Sequence, residues 1–304
     1  MRPTPLTLTA VGLLLALAVS CSGAEAPAAA AGPTEGIAAK YPGDRGIGRD
    51  SRVLLHEDFE AGRIDRKRWT TVKNETEALS FAPEVPPASA GTKSLLVTAT
   101  LGKNTGGHLF RRFKPGAKRM HARYYVRFAE DCDRIHHFVR LGGDWPPVAW
   151  PTGGAGERPR GDDRFSTGIE PCANWKEFPP PGAWHFYTYW CRMKRHGDGR
   201  YWGSSFRPEP PIVPERGRWY CVEMSVTCNT VGQAGGRQAV WIDGRKVGDY
   251  GGFEWRTAEP LDCNFFLLML YVTDRWTKHP VTRVGFDDVV VATEYIGPIR
   301  ALGK

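Results

Sequence analysis

The stretch WYCVEMSVTCN, residues 219–229, decides the fold class of this 304-residue chain. Tyr220, Val222, Met224 and Val226 alternate with polar or smaller residues, and a period of two places these four apolar side chains on one face of a β-strand. Other strand-like runs lie on both sides of this one and are separated by Gly, Pro, Asn and Asp. Because convincing helical periods are few, the pattern predicts an all-β protein.

The number of strand-like runs favours two packed sheets. Asp243-Gly244 predicts a type I′ turn that joins two short strands into a hairpin. No long helices alternate with the strands, so we expect a two-sheet antiparallel jelly-roll sandwich. The main runs are residues 52–56, 94–100, 121–128, 136–141, 184–192, 219–229, 238–242, 265–272 and 284–293.

The N-terminus has the pattern of a secretory signal. Arg2 precedes an apolar run from Leu6 to Val19 that is short for a bilayer span. The tetrad AVSC, residues 18–21, resembles a bacterial lipobox, with Ala where Leu is usual. We therefore expect residues 1–21 to direct export and Cys21 to be lipidated, so that the protein is held in the cell envelope. Ordinary signal-peptidase cleavage, which gives a secreted protein, is the alternative.

Two further regions follow the signal. Residues 22–50 are rich in Ala, Gly and Pro and show no hydrophobic period, which predicts a flexible tether. Residues 51–304 are enough for one sandwich domain with a full core. We expect this domain to be a monomer.

Cysteine content indicates an oxidising compartment. An even number of cysteines after Cys21 predicts one or more disulfides in an exported chain, although spacing cannot assign the pairs. No C-x2-C pair or other common zinc spacing occurs, so neither a metal nor another cofactor is expected. These cysteines are Cys132, Cys172, Cys191, Cys221, Cys228 and Cys263.

The formal net charge of +8 predicts an anionic partner. Basic residues are scattered and alternate with aromatic ones, as in HARYYVRF, residues 121–128. A basic surface attracts nucleic acid or other polyanions. Since an exported protein meets little nucleic acid, an anionic polysaccharide is the expected partner, and no nucleic acid is expected.

Four segments resemble the concanavalin A-like lectin/glucanase superfamily, in which the first and last strands of the domain pair. The middle of the chain resembles polysaccharide lyase family 14 and related alginate and glucuronan lyases, which are jelly rolls with a Tyr-x-Tyr strand in the cleft. Tyr187-Thr188-Tyr189 matches that element. The four segments are LLHEDFEAGRIDRKRW (54–69), SLLVTATLGKNTGGHLFRRF (94–113), WIDGRKVGDYGGF (241–253) and VGFDDVVVATEYIGP (284–298).

The resemblance implies β-elimination at a uronate. A base removes the C5 proton, an acid protonates the leaving oxygen, and cations neutralise the carboxylate. Tyr187 and Tyr189 share one strand face and are the candidate acid and base; packing in the core is the alternative. His136 and Arg140, expected on one face with Phe138, are the candidate carboxylate-binding residues.

Other residues are candidates for substrate binding. Trp145, Trp150 and Trp175 lie in loops and are predicted stacking platforms for sugar rings, with core packing as the alternative. Glu170 would bind a sugar hydroxyl or a cation, or pair with a surface arginine. The basic residues that follow the tyrosine strand, Arg192 and Lys194, are further candidate contacts to an anionic chain.

Two function classes remain open: a polysaccharide lyase, and a non-catalytic carbohydrate-binding module or surface lipoprotein on the same fold. The sequence contains no G-x-S-x-G, H-E-x-x-H or P-loop motif. It also lacks the E-x-D-x-x-E strand motif that supplies the paired carboxylates of related sandwich glucanases, which disfavours hydrolysis.

If Cys21 is the lipidated residue, Cys21→Ser should move the protein from the membrane fraction to the soluble fraction, because the acyl anchor cannot form. Immunoblots of fractionated cells measure this change. Identical fractionation of the parent and the variant would contradict the lipid anchor.

Overall fold

The computed structural model describes residues 35–173 and 176–302. Cys21 and Trp175 therefore lie outside the described residues. No helix among the described residues is long and apolar enough to cross a membrane. The strands are β1 (Val53–Glu57), β2 (Thr71–Lys73), β3 (Leu79–Ala82), β4 (Ser94–Thr100), β5 (His108–Ala117), β6 (Arg119–Phe128), β7 (Val139–Asp144), β8 (Arg164–Ala173), β9 (Ala183–Tyr189), β10 (Ser204–Phe206), β11 (Trp219–Thr227), β12 (Gly236–Ile242), β13 (Arg245–Phe253), β14 (Cys263–Met269) and β15 (Val281–Ala292), and one short helix is α1 (Glu75–Ala78).

The strands form two antiparallel sheets, as the sequence predicts. The first sheet has the order β13-β12-β11-β6-β15-β4-β3, with β1 also paired to β15. The second has the order β10-β9-β8-β7-β14-β5-β2. The pairing of β1 with β15, with Val53 opposite Ala292, joins the first and last strands of the sandwich. The all-β jelly-roll prediction is confirmed.

The core lies between the sheets and follows strand alternation. Tyr220, Val222, Met224 and Val226 of β11 are buried in one large apolar cluster, as their period predicts. Phe186 of β9 joins the same cluster from the second sheet. Every other side chain of a strand thus fills the core, which leaves the alternate row for the outer face.

The hairpin between β12 and β13 turns where the sequence predicts. Asp243 and Gly244 both have positive φ, 50° and 78°, as a type I′ turn requires. Glycine adopts this backbone conformation without steric cost.

The described part of the predicted tether, residues 35–50, is packed on the domain, so that part of the tether prediction is wrong. It forms three short 3₁₀ helices, Ile37–Lys40, Pro42–Asp44 and Ile47–Arg49. The buried side chains of Ile37, Ala38 and Ile47 pack against apolar residues of β15. Hydrophobic burial outweighs the high content of small residues in this segment. Residues 22–34 lie outside the described residues.

The described cysteines are free, so the expected disulfides do not form among them. Several of them lie on different sides of the first sheet: Cys132 and Cys263 lie in the core between the sheets, whereas Cys221 lies on the outer face beside Tyr125. Burial raises the pKa of the Cys221 thiol to about 12. Cys132 and Cys263 therefore act as small apolar core residues.

One buried ion pair joins the N-terminal segment to the first sheet. Arg123 of β6 is fully buried and its guanidinium donates hydrogen bonds to both carboxylate oxygens of Asp44 and to the carbonyl of Asp288. Removing one member of such a pair leaves an uncompensated buried charge.

Asp44→Asn should lower the free energy of unfolding by about 3–5 kcal/mol, because Arg123 keeps its charge and loses its counter-ion. Urea denaturation measures the change. Glu35→Gln is the matched control, since the Arg300–Glu35 pair is exposed and should contribute almost nothing. Equal stabilities for both variants would contradict the role of the buried pair.

Candidate functional site

A groove runs across the outer face of the second sheet. We use "the groove" for two adjoining cavities that share His136 and His137 in their walls. The larger, of about 770 Å³, extends from Tyr189 and Arg140 at one end to Lys73 at the other. The smaller, of about 210 Å³, is lined by Tyr187, Glu170, His185, Arg134 and Trp276 as well as the two shared histidines.

The tyrosines of β9 face the groove. Tyr187 and Tyr189 are half-buried and line the smaller and the larger cavity respectively, while Phe186 and Thr188 are buried on the opposite side of the strand. Burial and a hydrogen bond with Tyr189 raise the pKa of the Tyr187 phenol. The alternative prediction, that both tyrosines pack in the core, does not describe their placement.

A charged cluster lies beside the tyrosines. Arg140 Nη2 of β7 donates to Glu170 Oε1 of β8 at 2.8 Å, and lies 2.8 Å from Nδ1 of His137. His137 Nδ1 is itself 3.1 Å from the same carboxylate oxygen. Burial opposes ionisation of Glu170, but His137 and Arg140 outweigh it and lower the pKa of the carboxyl to about 2. The guanidinium of Arg140 also lies over the Tyr187 ring, 5.7 Å from its centre.

Gly168 makes room for this cluster. In the sheet, Arg140, Gly168 and Tyr187 are directly opposite one another on β7, β8 and β9. A Cβ atom at position 168 would lie 2.8 Å from Cγ of Arg140 and 3.0 Å from the carbonyl oxygen of Val139. Glycine therefore lets the arginine side chain cross β8 towards the tyrosine.

The two adjacent histidines point the same way, which corrects the predicted alternation. His136 and His137 stack with ring centres 4.2 Å apart and both line the groove, whereas Phe138 is buried in the core. Their backbone N–H groups both donate to the carbonyl of Tyr271, so they precede the regular part of β7. Burial and the neighbouring His137 lower the pKa of His136 to about 4.

The predicted platforms and basic contacts separate in space. Trp150 lines the large cavity, while Trp145 is exposed and lines a different cavity of about 320 Å³, which Trp150 also lines. Arg192 and Lys194 do not line the groove: Arg192 pairs with Glu254 at 2.5 Å, and Lys194 is exposed. Regular alternation ends with β9 at Tyr189, so it cannot direct these two side chains into the groove.

Several groove residues were absent from the sequence prediction. Lys73, His108 and Arg164 come from β2, β5 and β8, which enter the groove only through the order of strands in the sheet. His185 lies two residues before Tyr187 on β9, on the same face of the strand, and is buried. Burial lowers the pKa of His185 to about 4. The period of two along β9 could have indicated His185; the others had no local signal. Among the described residues no group of His, Cys, Asp and Glu could hold a metal ion.

Comparison with known proteins establishes the fold. No protein-family model matches the chain, and no curated protein sequence matches it. A double mutant of the alginate lyase Aly36B, solved with alginate tetrasaccharide, is 14% identical with a TM-score of 0.57, covering 80% of this chain and 98% of that one.

Two further solved structures share the architecture. Alginate lyase vAL-1 from Chlorella virus is 13% identical with a TM-score of 0.57, covering 79% of this chain and 99% of its own. An endo-β-1,4-glucuronan lyase from the fungus Trichoderma reesei is 18% identical with a TM-score of 0.52, covering 79% and 95%. The resemblance to jelly-roll polysaccharide lyases is thereby confirmed at the level of the fold.

Proposed function

We propose that the groove binds a uronate-containing polysaccharide and cleaves it by β-elimination. The observation that carries this proposal is the convergence of Arg140, His137 and the pair Tyr187 and Tyr189 in one groove. The chain has the fold of alginate and glucuronan lyases, and its net charge of +8 suits an anionic substrate. An exported protein would meet such a polysaccharide outside the cell.

Arg140 is the proposed partner of the substrate carboxylate. A guanidinium binds a carboxylate through two parallel hydrogen bonds, which neutralises it and stabilises the enolate-like charge that develops when C5 loses its proton. Glu170 engages one terminal nitrogen of Arg140, and His137 lies against the same atom. Glu170 therefore orients the guanidinium from the buried side, while the groove side faces the ligand.

Tyr189 is the proposed base. It lines the same large cavity as Arg140, whereas Tyr187 lines the smaller one and has a raised pKa that disfavours its ionised form. Tyr189 acts as the phenolate and takes the C5 proton, which makes it a neutral phenol; the electrons of the C5–H bond form the C4=C5 double bond, and the C4–O4 bond breaks. The leaving oxygen then receives a proton from the hydrogen-bonded tyrosine pair, so that protons and electrons balance.

A panel of uronans tests the activity directly. Incubation of the purified protein with alginate, glucuronan and polygalacturonate should increase ultraviolet absorbance for the substrate that it cleaves, since the product carries a conjugated C4=C5 double bond. Binding of a uronan without any such absorbance would instead assign the groove to a non-catalytic carbohydrate-binding module.

Tyr189→Phe should lower the elimination rate by about 10²–10⁴-fold, because it removes the proton-transferring oxygen and keeps the ring. Tyr187→Phe should have a smaller effect. Initial rates from ultraviolet absorbance measure both variants, and circular dichroism checks that the fold is intact. A greater loss for Tyr187→Phe would exchange the roles of the two tyrosines.

Glu170→Gln should lower the catalytic constant more than it raises KM, since glutamine keeps the size of the side chain but not the charge that orients Arg140. Steady-state kinetics separate the two constants. Glu254→Gln is the control, because that carboxylate pairs with Arg192 outside the groove. If Glu170→Gln instead raised KM alone, Glu170 would be a direct substrate ligand.

A further inference from the structure

At the end of the groove farthest from the tyrosines lies a lysine side chain to which the proposed reaction gives no role. Lys73, at the end of the edge strand β2, lines the large cavity, and no ion pair joins it to any described acidic residue within 4 Å. Its neighbour on β5 is His108, directly opposite in the sheet. Burial and the charge of Lys73 lower the pKa of His108 to about 4, so the imidazole is neutral near pH 7. The lysine therefore supplies a positive charge at this end of the groove, whereas His108 does not.

An exposed aromatic ring lies over the same place. The Trp150 ring packs against the His108 ring at a tilt of 31°, with centres 4.7 Å apart, and lies 6.3 Å from the Phe110 ring. Although both rings support it, Trp150 is 40% exposed. A supported but open aromatic face beside an ammonium group combines stacking for a sugar ring with attraction for its charge.

The loop that carries Trp150 is held in position. Asp144 accepts a hydrogen bond from the backbone N–H of Val148 at 2.7 Å and forms an ion pair with Arg112. Arg112 in turn donates to the carbonyl of Val148 at 2.8 Å. Both charged side chains are buried. Binding at Trp150 therefore does not have to order the loop first, which reduces its entropic cost.

The sheet sets the distance between this end and the catalytic end. Lys73 lies opposite His108, which lies opposite Met269 on β14; Arg140 lies opposite Leu267, two residues away on that strand. The step from β7 through β14 and β5 to β2 spans about 14 Å, and two residues along a strand add about 7 Å in the perpendicular direction. A single sugar cannot reach from Arg140 to Lys73.

We infer that Lys73, Trp150 and His108 form a second subsite, which binds an anionic sugar several units along the chain from the one held at Arg140. This inference rests on the proposed function only for the class of ligand, a uronan. The indole stacks on the sugar ring and the ammonium pairs with the carboxylate. Neither contact requires cleavage, so binding alone tests the subsite.

The test compares two lysine variants in a Tyr189→Phe background, which keeps the ligand intact during the measurement. Calorimetric titration uses a hexauronate and a diuronate of the same sugar. Lys73→Met should weaken hexauronate binding about tenfold, the loss expected for one charge-assisted contact. Lys40→Met removes an exposed charge from the N-terminal segment on the first sheet and should change nothing. The advantage of the hexauronate over the diuronate should shrink in Lys73→Met and stay unchanged in Lys40→Met.

Trp150→Ala separates stacking from charge. This variant should weaken the binding of neutral cello-hexaose and of the hexauronate by similar factors of about ten. Lys73→Met should weaken only the binding of the hexauronate. Hexauronate affinity equal to the parent in both Lys73→Met and Trp150→Ala would overturn the subsite. If the protein binds the hexauronate more tightly than the diuronate but cleaves no uronan, the subsite is retained and the lyase proposal is refuted. If the protein cleaves a uronan but neither Lys73→Met nor Trp150→Ala changes hexauronate affinity, the lyase proposal is retained and the subsite is refuted.

Discussion

Strand alternation in the second sheet is the constraint on which the candidate site depends. Each strand must present one row of side chains to the core, so only the alternate row can face the groove. On β9 the core row includes Phe186 and Thr188, which leaves Tyr187 and Tyr189 facing outward. Any shift of register by one residue would bury the tyrosines and expose the phenylalanine. The hydrophobic core therefore fixes the direction of the proposed catalytic side chains.

Charge balance then organises the neighbouring strands. A buried carboxylate is costly unless cations and hydrogen bonds compensate for it. Glu170 is almost fully buried and is compensated by Arg140 and His137. These contacts hold the Arg140 side chain across Gly168. The ion pair with Glu170 therefore requires a residue without a Cβ atom at position 168. Glu170, predicted to bind a sugar hydroxyl or a cation or to pair with a surface arginine, pairs with Arg140, a buried arginine that lines the groove.

The two ends of the groove are lined by different functional groups, although the same sheet carries both. The tyrosine end combines hydroxyls with a guanidinium that is held from beneath, as proton transfer beside a carboxylate requires. The Trp150 end combines an open indole with the ammonium of Lys73. Fold similarity to alginate and glucuronan lyases does not itself assign these roles, because one fold can carry unrelated functions. The proposed roles rest on the side chains that meet in the groove.

Local pattern in the sequence determined the features that depend on neighbouring residues. The alternation in 219–229, the Asp243-Gly244 turn and the shared face of Tyr187 and Tyr189 all follow from the geometry of a strand or a hairpin. Five strands were missed: β2, β3, β5, β8 and β10. In β5 and β8, charged residues, Gly and Pro interrupt the apolar pattern. A period of two indicates a strand only where one row is consistently apolar.

Only the tertiary structure decided which distant residues meet. Lys73 and Arg140 are far apart in sequence and share a groove because β5 and β14 lie between their strands. His136 and His137 both face the groove because Tyr271, from another part of the chain, binds both backbone N–H groups. Residues 35–50 pack rather than extend because β15 offers them an apolar surface. Each outcome depends on a partner remote in sequence, and no local pattern contains the identity of that partner.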